Sequence, residues 1–320
     1  MGINRKYLLF GFLVVFLPFQ ARALLTVDVQ SDIDSLLPIV VVPFGSEGVV
    51  APVDISEVIR NDLAQSGRFS PLPKQELISE PHVKTDIDFS AWKSIFADGL
   101  LIGKVSSSDG QTFQAQFQLF DIYKTEQLVG KRYQVPASGL RRLAHQMADQ
   151  VYQALTGETG VFTSRLAFVT VINRDVNTQQ FSLQVSDSDG ANPRTVLQSK
   201  QPIFSPKWSP EGERLAYVSF ENGKAEIFVQ EMSSGRRDSV TALNGLGNSV
   251  AWSPDGKNLA FSLSIYGNKE IHILNIATGN LTRLTHNSQA IDIDAVWMQD
   301  GQDLLFTSDR GGRAQIYKVS

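Results

Sequence analysis

Four histidines, three regularly spaced acids and two short acidic runs are the side chains of this 320-residue chain best suited to chemistry. A metal centre or a general base would need His82, His145, His272 and His286 at ligand spacings, and they share none. His145 falls in a helical pattern and His272 in a strand pattern, so both are expected to pack or face solvent. Glu211, Asp255 and Asp300 could pass for an acid set, but they recur at one position of a repeated turn, which gives them a structural role. Asp187-Ser188-Asp189-Gly190 resembles the start of a calcium loop and lacks the later bidentate glutamate, so it is read as a turn. Asp292-Ile293-Asp294 could hold a cation if it lay at the mouth of a channel.

What is absent narrows the classes further. The sequence has no Gly-x-Ser-x-Gly elbow, no His-Glu-x-x-His, no phosphate-binding Gly-x-x-x-x-Gly-Lys-Ser/Thr and no Gly-x-Gly-x-x-Gly. It has no cysteine, which removes disulfides, thiolate nucleophiles, cysteine zinc sites and lipoprotein anchoring. With a net charge of −4 there is no basic footprint for nucleic acid. At 42% hydrophobic and 19% charged, the composition is that of a globular protein with room for two domains. No catalytic set, no metal and no cofactor is expected.

The elements that must position these side chains follow from a repeat. Trp208-Ser209-Pro210-Glu211-Gly212-Glu213-Arg214-Leu215-Ala216-Tyr217 returns as Trp252-Ser253-Pro254-Asp255-Gly256-Lys257-Asn258-Leu259-Ala260-Phe261. A worn copy follows, Trp297-Met298-Gln299-Asp300-Gly301-Gln302-Asp303-Leu304-Leu305-Phe306. The tryptophans are 44 and then 45 residues apart, a period that marks a repeat architecture. Ser-Pro-Asp/Glu-Gly is turn chemistry, because proline presets φ and glycine takes the left-handed position. Each copy continues through short strands joined by turns at Glu221-Asn222-Gly223, Tyr266-Gly267-Asn268 and Arg310-Gly311-Gly312. Four such strands make a propeller blade, with the tryptophan expected between neighbouring blades. Arg165-Leu166-Ala167-Phe168 is a weaker first copy. Residues 165–320 are thus read as an all-β, WD40-like propeller of about 3.5 blades. That is short of a closed ring, so a longer parent chain is expected.

Upstream, residues 38–157 alternate strands and helices. Ile39 to Phe44 is a β-branched run of the buried-strand kind. Asp54 is expected to cap a helix in a capping box with Glu57, Gly67 to end it, and Ile55, Val58, Ile59 and Leu63 to form its buried stripe. A short helix is expected over Ser90–Ala97, then strands over Leu100–Val105, Gln111–Ile122 and Gln127–Val135. Ser138 is expected to cap a long helix ended by Gly157, with Leu140, Leu143, Ala144, Met147, Val151 and Leu155 on one stripe. The fold class is therefore an α/β domain, a linker at 158–164, and the propeller.

The first 23 residues carry an export signal: Arg5 and Lys6, an apolar run Leu8–Phe19, and the small-x-small site Ala21-Arg22-Ala23. Residues 24–37 form an arm in which Val27 and Val29 alternate with Thr26, Asp28 and Gln30, a pattern that can add to a partner's sheet edge.

Taken together, the arrangement resembles the TolB family of the Tol-Pal envelope system. The residues that carry the resemblance are Val27 to Ser35, Val41-Val42-Pro43-Phe44, Leu63-Ala64-Gln65-Ser66-Gly67-Arg68-Phe69, Ser205-Pro206-Lys207-Trp208-Ser209-Pro210, Leu215 to Glu221 and Phe306 to Arg313. The resemblance implies a non-enzymatic periplasmic adaptor with a six-bladed propeller that supports outer-membrane integrity and division. It implies that the propeller mouth binds the lipoprotein Pal, here through Phe204, Ser205, Asn248, Ser249, Asp292, Ile293 and Asp294. It implies that the arm binds TolA through Leu25, Thr26, Val27, Asp28, Val29, Gln30, Asp32 and Ile33. Other outer-membrane-associated proteins are compatible partners, membrane association would run through partners alone, and nucleic acid is not expected. Many relatives carry a histidine where this chain has Leu246, so that contact does not carry over. The alternative from another class is a propeller-containing periplasmic hydrolase or lyase, or the propeller half of a peptidase. The export signal makes one direct prediction: mass spectrometry of periplasmic protein finds Leu24 or a near neighbour at the N-terminus, and an intact Met1 there contradicts it.

Overall fold

The computed structural model describes residues 36–173, 179–241, 246–264, 267–287 and 289–320, with the backbone alone for Asn173, Leu246 and Asn248. The export signal with Ala21 and Ala23, and the arm residues Leu25 to Ile33, lie outside the described residues. Among the described residues no helix is long and apolar enough to cross a membrane.

The α/β region consists of β1 (Leu37–Val41), β2 (Gly45–Gly48), α1 (Ile55–Gln65), β3 (Phe69–Pro71), α2 (Phe89–Lys93), β4 (Gly99–Ser107), β5 (Thr112–Asp121), β6 (Glu126–Pro136) and α3 (Leu140–Thr156). The sheet order is β3-β1-β4-β5-β6, with β2 also beside β4. β1 runs parallel to β3 and β4, whereas β4, β5 and β6 form an antiparallel meander. Strand alternation divides the core in two. Ile39, Leu101, Phe113, Phe117 and Leu119 pack under α1 and α3. Val40, Val42, Leu100, Ile102 and Phe120 pack on the other side against Trp92 of α2. Past Ile102 that second face turns polar, with Lys104, Ser106, Gln114, Gln116 and Arg132 lining a shallow open groove.

Several local expectations are modified. Asp54 caps α1 by accepting from the Glu57 N–H at 3.0 Å. Glu57 does not complete the capping box, because its carboxylate is drawn to Lys74 at 2.7 Å. α2 ends at Lys93, short of Ala97, and Phe96 adopts a left-handed φ of 56°. Ser138 does not cap α3: residues Ala137–Gly139 form a 3-10 turn, and Gly139 is the cap with no side-chain bond. Gly157 ends α3 in the left-handed conformation at φ 77°.

The propeller strands group as β7 (Arg165–Asn173), β8 (Gln179–Asp187) and β9 (Arg194–Ser199); then β10 (Ile203–Trp208), β11 (Arg214–Ser219), β12 (Glu226–Glu231) and β13 (Arg237–Thr241). The next blade has β14 (Leu246–Trp252), β15 (Asn258–Ser264), β16 (Lys269–Asn275) and β17 (Leu281–Arg283), and the last has β18 (Asp292–Trp297), β19 (Leu304–Ser308) and β20 (Gln315–Val319). Two four-stranded sheets thus stand between two three-stranded ones, in keeping with the expected count of about 3.5 blades. The repeated Ser-Pro-x-Gly turn, worn to Met298-Gln299-Asp300-Gly301 in the last copy, closes the same way each time. Gly212, Gly256 and Gly301 take φ of 73°, 67° and 69°, and each donates to the carbonyl three residues back. The recurrent acids serve that turn. Asp255 accepts from Ser253 Oγ and the Lys257 N–H, which hold its carboxyl below the ordinary range. Asp300 accepts from the N–H groups of Gln302 and Asp303.

Blades pack face to face with opposite faces of one strand serving two neighbours. In β11, Leu215 and Tyr217 pack on Phe181 and Leu183 of the first blade, whereas Ala216 and Val218 pack on Trp252, Leu259 and Phe261 of the third. In β15, Ala260 turns the other way, to Leu304 and Phe306 of the fourth blade. The expected tryptophan lies in these seams, and an arginine latches it. Arg214 stacks over the Trp252 ring at 4.7 Å and donates to Gly256 O at 2.9 Å, while Trp252 Nε1 donates to Lys207 O at 3.0 Å. Arg165 does the same one blade earlier, 4.2 Å over Trp208 and bonded to Gly212 O. That equivalence identifies β7 as a second strand of its blade, matching β11. Asn258 holds the position in the third blade and pairs with Asn275 instead.

On the fourth blade the face equivalent to Ala216 and Ala260 carries Val296, Leu305 and Ile316, which are 60%, 36% and 74% exposed. The latch predicts a measurable contrast. Arg214→Ala loses a cation–π contact and a charged hydrogen bond, about 2 kcal/mol together. Asn258→Arg, which supplies the missing partner for Trp297, costs nothing or stabilises. Urea unfolding of the two variants checks both signs.

Candidate functional site

The first described strands of the last three blades, β10, β14 and β18, lie side by side in space, with β7 next to β10. Each ends in its seam tryptophan and begins at the opposite end, where the sequence placed the candidate mouth residues. All three are irregular at one point: the pairing register shifts between Phe204 and Lys207, Leu246 and Val250, and Ile293 and Val296. A bulge re-aims side chains and ends regular pairing. At two of the bulges a residue three before the tryptophan sits in the left-handed region, Ser205 at φ 47° and Asp294 at φ 54°. Each costs roughly 1 kcal/mol, a strain that packing around it must hold.

The candidate residues then divide by environment. Phe204 is partly exposed and meets the Phe220 ring edge-to-face at 5.9 Å. Ser205, Ser249 and Ile293 are half-buried, Asp294 is exposed, and Asn248 lies on β14. Asp292 departs from the expectation of an open mouth ligand. It is fully buried, and both of its oxygens accept from Arg310, at 3.0 and 2.9 Å. Its carboxylate is therefore committed to a bidentate ion pair and is not offered to a cation with Asp294. The Ser308-Asp309-Arg310 run stakes this edge of the blade. Ser308 Oγ accepts from Arg310 Nε at 2.9 Å, Asp309 accepts the Ile291 N–H at 2.7 Å, and the guanidinium lies 5.0 Å over Phe306 and 4.9 Å over Tyr317.

The histidines are not gathered. His272 is buried on β16, bonded to Glu270 O, with its pKa lowered by burial; His286 is exposed and His82 half-buried beside Gly45. His145 is the exception to a bland role. It is 2% exposed and its Nδ1 lies 2.7 Å from Asp62 Oδ2, on α1. Nothing in the sequence pointed to that pair, since its members are 83 residues apart. Arg310 and the seam arginines were equally invisible as partners, although Arg165 and Arg214 share a repeat position that could have revealed them.

Comparison with known proteins gives one consistent result. The family profile described as "TolB beta propeller domain" matches residues 152–320, and "TolB amino-terminal domain" matches residues 25–128. The chain is 54% identical over 227 residues to "Tol-Pal system protein TolB" of Nitrosococcus oceani, covering 71% of this chain and 52% of that protein. It is 43% identical over 224 residues to the protein of the same name from Pseudomonas putida, covering 70% and 52%. Among solved structures, TolB from Acinetobacter baumannii superposes with a TM-score of 0.80 at 35% identity, covering 89% of this chain and 69% of that one. The chain spans about half the length of the curated relatives it matches.

The staked edge yields a stability prediction. Arg310→Met strands a buried carboxylate and costs about 3–5 kcal/mol. Adding Asp292→Asn to that variant restores more than half, as read by urea unfolding; equal losses in the single and double variants would contradict the geometry.

Proposed function

The chain belongs to the TolB family, and we propose on that footing that it acts as a non-enzymatic periplasmic adaptor of the Tol-Pal envelope system. In this proposal the propeller mouth receives Pal and the N-terminal arm receives TolA. The adaptor supports outer-membrane integrity and invagination at division, and it reaches membranes through these partners. In this reading the domains are signal 1–23, arm 24–37, α/β domain 38–157, linker 158–164 and propeller 165–320, with Leu37 at the end of the arm already paired to Phe69 in the sheet.

The observation that carries the proposal is the match of both family profiles in this order on one chain. The site supports it in kind. A binding mouth needs a shaped edge, at least partly exposed and with few ionisable groups, and exposed Phe204 and Asp294 with half-buried Ser205, Ser249 and Ile293 fit that. Strained backbone at Ser205 and Asp294 is of the kind that functional edges retain. A hydrolase or lyase would need convergent acids or bases on those strands, yet Asp292 is consumed by Arg310. The arm's alternation suits addition to a sheet edge, where main-chain bonds give affinity and alternate side chains give specificity.

Two substitutions and one deletion test the assignment. Ile293→Arg with Asp294→Lys weakens Pal binding at least tenfold by calorimetry, about 1.4 kcal/mol, with the fold intact by circular dichroism. Deleting Leu24–Ser35 abolishes TolA binding and leaves Pal binding within a small factor. Unchanged Pal affinity in the first variant removes those residues from the mouth, and surviving TolA binding in the second removes the arm.

A further inference from the structure

Where α3 meets the first blade, charged groups from three elements crowd one point. His145 of α3 and Asp62 of α1 are each 2% exposed and share a hydrogen at 2.7 Å. An oxygen of Asp189, from the turn after β8, lies within 4.8 Å of ligand atoms of both. Arg141, one helical turn before His145, donates to Asp187 at 3.1 Å and to Asp189. The same turn is tied to the linker by Ser188 Oγ, which donates to Phe162 O at 2.5 Å.

The charge count decides what this cluster can hold. Asp62, Asp187 and Asp189 bring three negative charges, and Arg141 returns one positive. With a neutral imidazole, Asp62 remains a buried charge with a second carboxylate close by, an expensive arrangement. A proton on His145 turns Asp62 into half of an ion pair and places a positive charge between the two carboxylates. A metal ion fits less well, because His145 Nδ1 and Asp62 Oδ2 already face each other at hydrogen-bond distance and Arg141 occupies Asp189.

We propose that Asp62 and His145 form a proton-operated latch between the α/β domain and the first blade. Protonated, the pair holds α1 and α3 against the Asp187–Gly190 turn; deprotonated, it sets Asp62 against Asp189 and loosens that junction. His145 Nε2 is buried without a hydrogen-bond partner, which keeps the closed state from being locked. The electrostatics agree. Burial alone would lower His145, but the bond to Asp62 and its charge, with Asp189 beyond, outweigh burial and raise it; burial raises Asp62. A raised folded-state value means the latch is complete below the ordinary histidine value of about 6.5 and is lost as pH rises through the folded value.

The cysteine-free chain accepts a dye pair at Gln75→Cys and Ser233→Cys, read by energy transfer and by thermal melting from pH 6 to pH 8.5. The expected result is a one-proton change in transfer efficiency and a fall in Tm of about 2–4 °C. Both are absent in His145→Gln and reduced in Asp189→Asn, which is isosteric, lies outside the helix core and keeps the test valid should His145→Gln fail to fold. A pH-invariant wild type, or an equal response in Asp189→Asn, overturns the latch. So does a zinc-dependent rise in Tm that a chelator reverses, since the cluster would then hold a metal.

Discussion

A propeller blade has two apolar faces and no helix to cover either, so its neighbours are its core. Everything in residues 165–320 follows from that constraint. The strands alternate large and small apolar residues, Leu215 and Tyr217 on one face of β11 against Ala216 and Val218 on the other. Each blade therefore offers a surface of bulk to one neighbour and a surface of space to the next. The seam tryptophan fills the space, and an arginine from the preceding blade lies over its ring. The seam is consequently a mixed contact: apolar burial supplies most of the free energy at about 25 cal/mol per Å², and the arginine sets the angle by binding a turn carbonyl whose position the Ser-Pro-x-Gly sequence has already fixed.

The same packing allows strain at the opposite end of the first strands. A chain tied at Trp208 or Trp297 by a packed seam can hold Ser205 or Asp294 in a left-handed conformation that neither residue would choose alone. The bulges there interrupt pairing at matching places in three blades, giving the edge an irregular outline that a flat strand end would lack. In the fourth blade an ion pair on a buried carboxylate adds rigidity. Asp292 and Arg310 remove from the edge an acid that the sequence had placed there, leaving Asp294 as the exposed carboxylate of β18 itself.

The α/β region solves the opposite problem. Its sheet is covered on one face by α1 and α3 and on half of the other by α2. The longer α3 both buries a stripe and reaches the propeller. Its Leu140–Val151 stripe enters the core, while Arg141 faces the first blade and bonds Asp187 at the end of β8 and Asp189 in the turn after it. One helix thus serves both packing and docking, and the charge cluster at His145 sits where the two roles meet.

Periodic and local features were legible in the sequence because their physics is local. The 44-residue and 45-residue spacings set the blades, the proline and glycine positions set the turns, and the stripe Leu140 to Leu155 set α3. Asp54 was recognisable as a cap because a cap acts within three residues, but Glu57 was misassigned because Lys74, 17 residues on, offered its carboxylate a better partner. Ser138 failed as a cap for a similar reason, since a 3-10 turn moved the helix start past it. Partners distant along the chain were not legible. Asp292 read as an exposed acid until Arg310 turned back on it across the β18–β19 hairpin, and His145 read as a packing residue until folding carried Asp62 to it. A pattern in sequence reports which face a residue shares with its neighbours; which charge meets which is decided when separate elements close on one another, and water leaves the space between them.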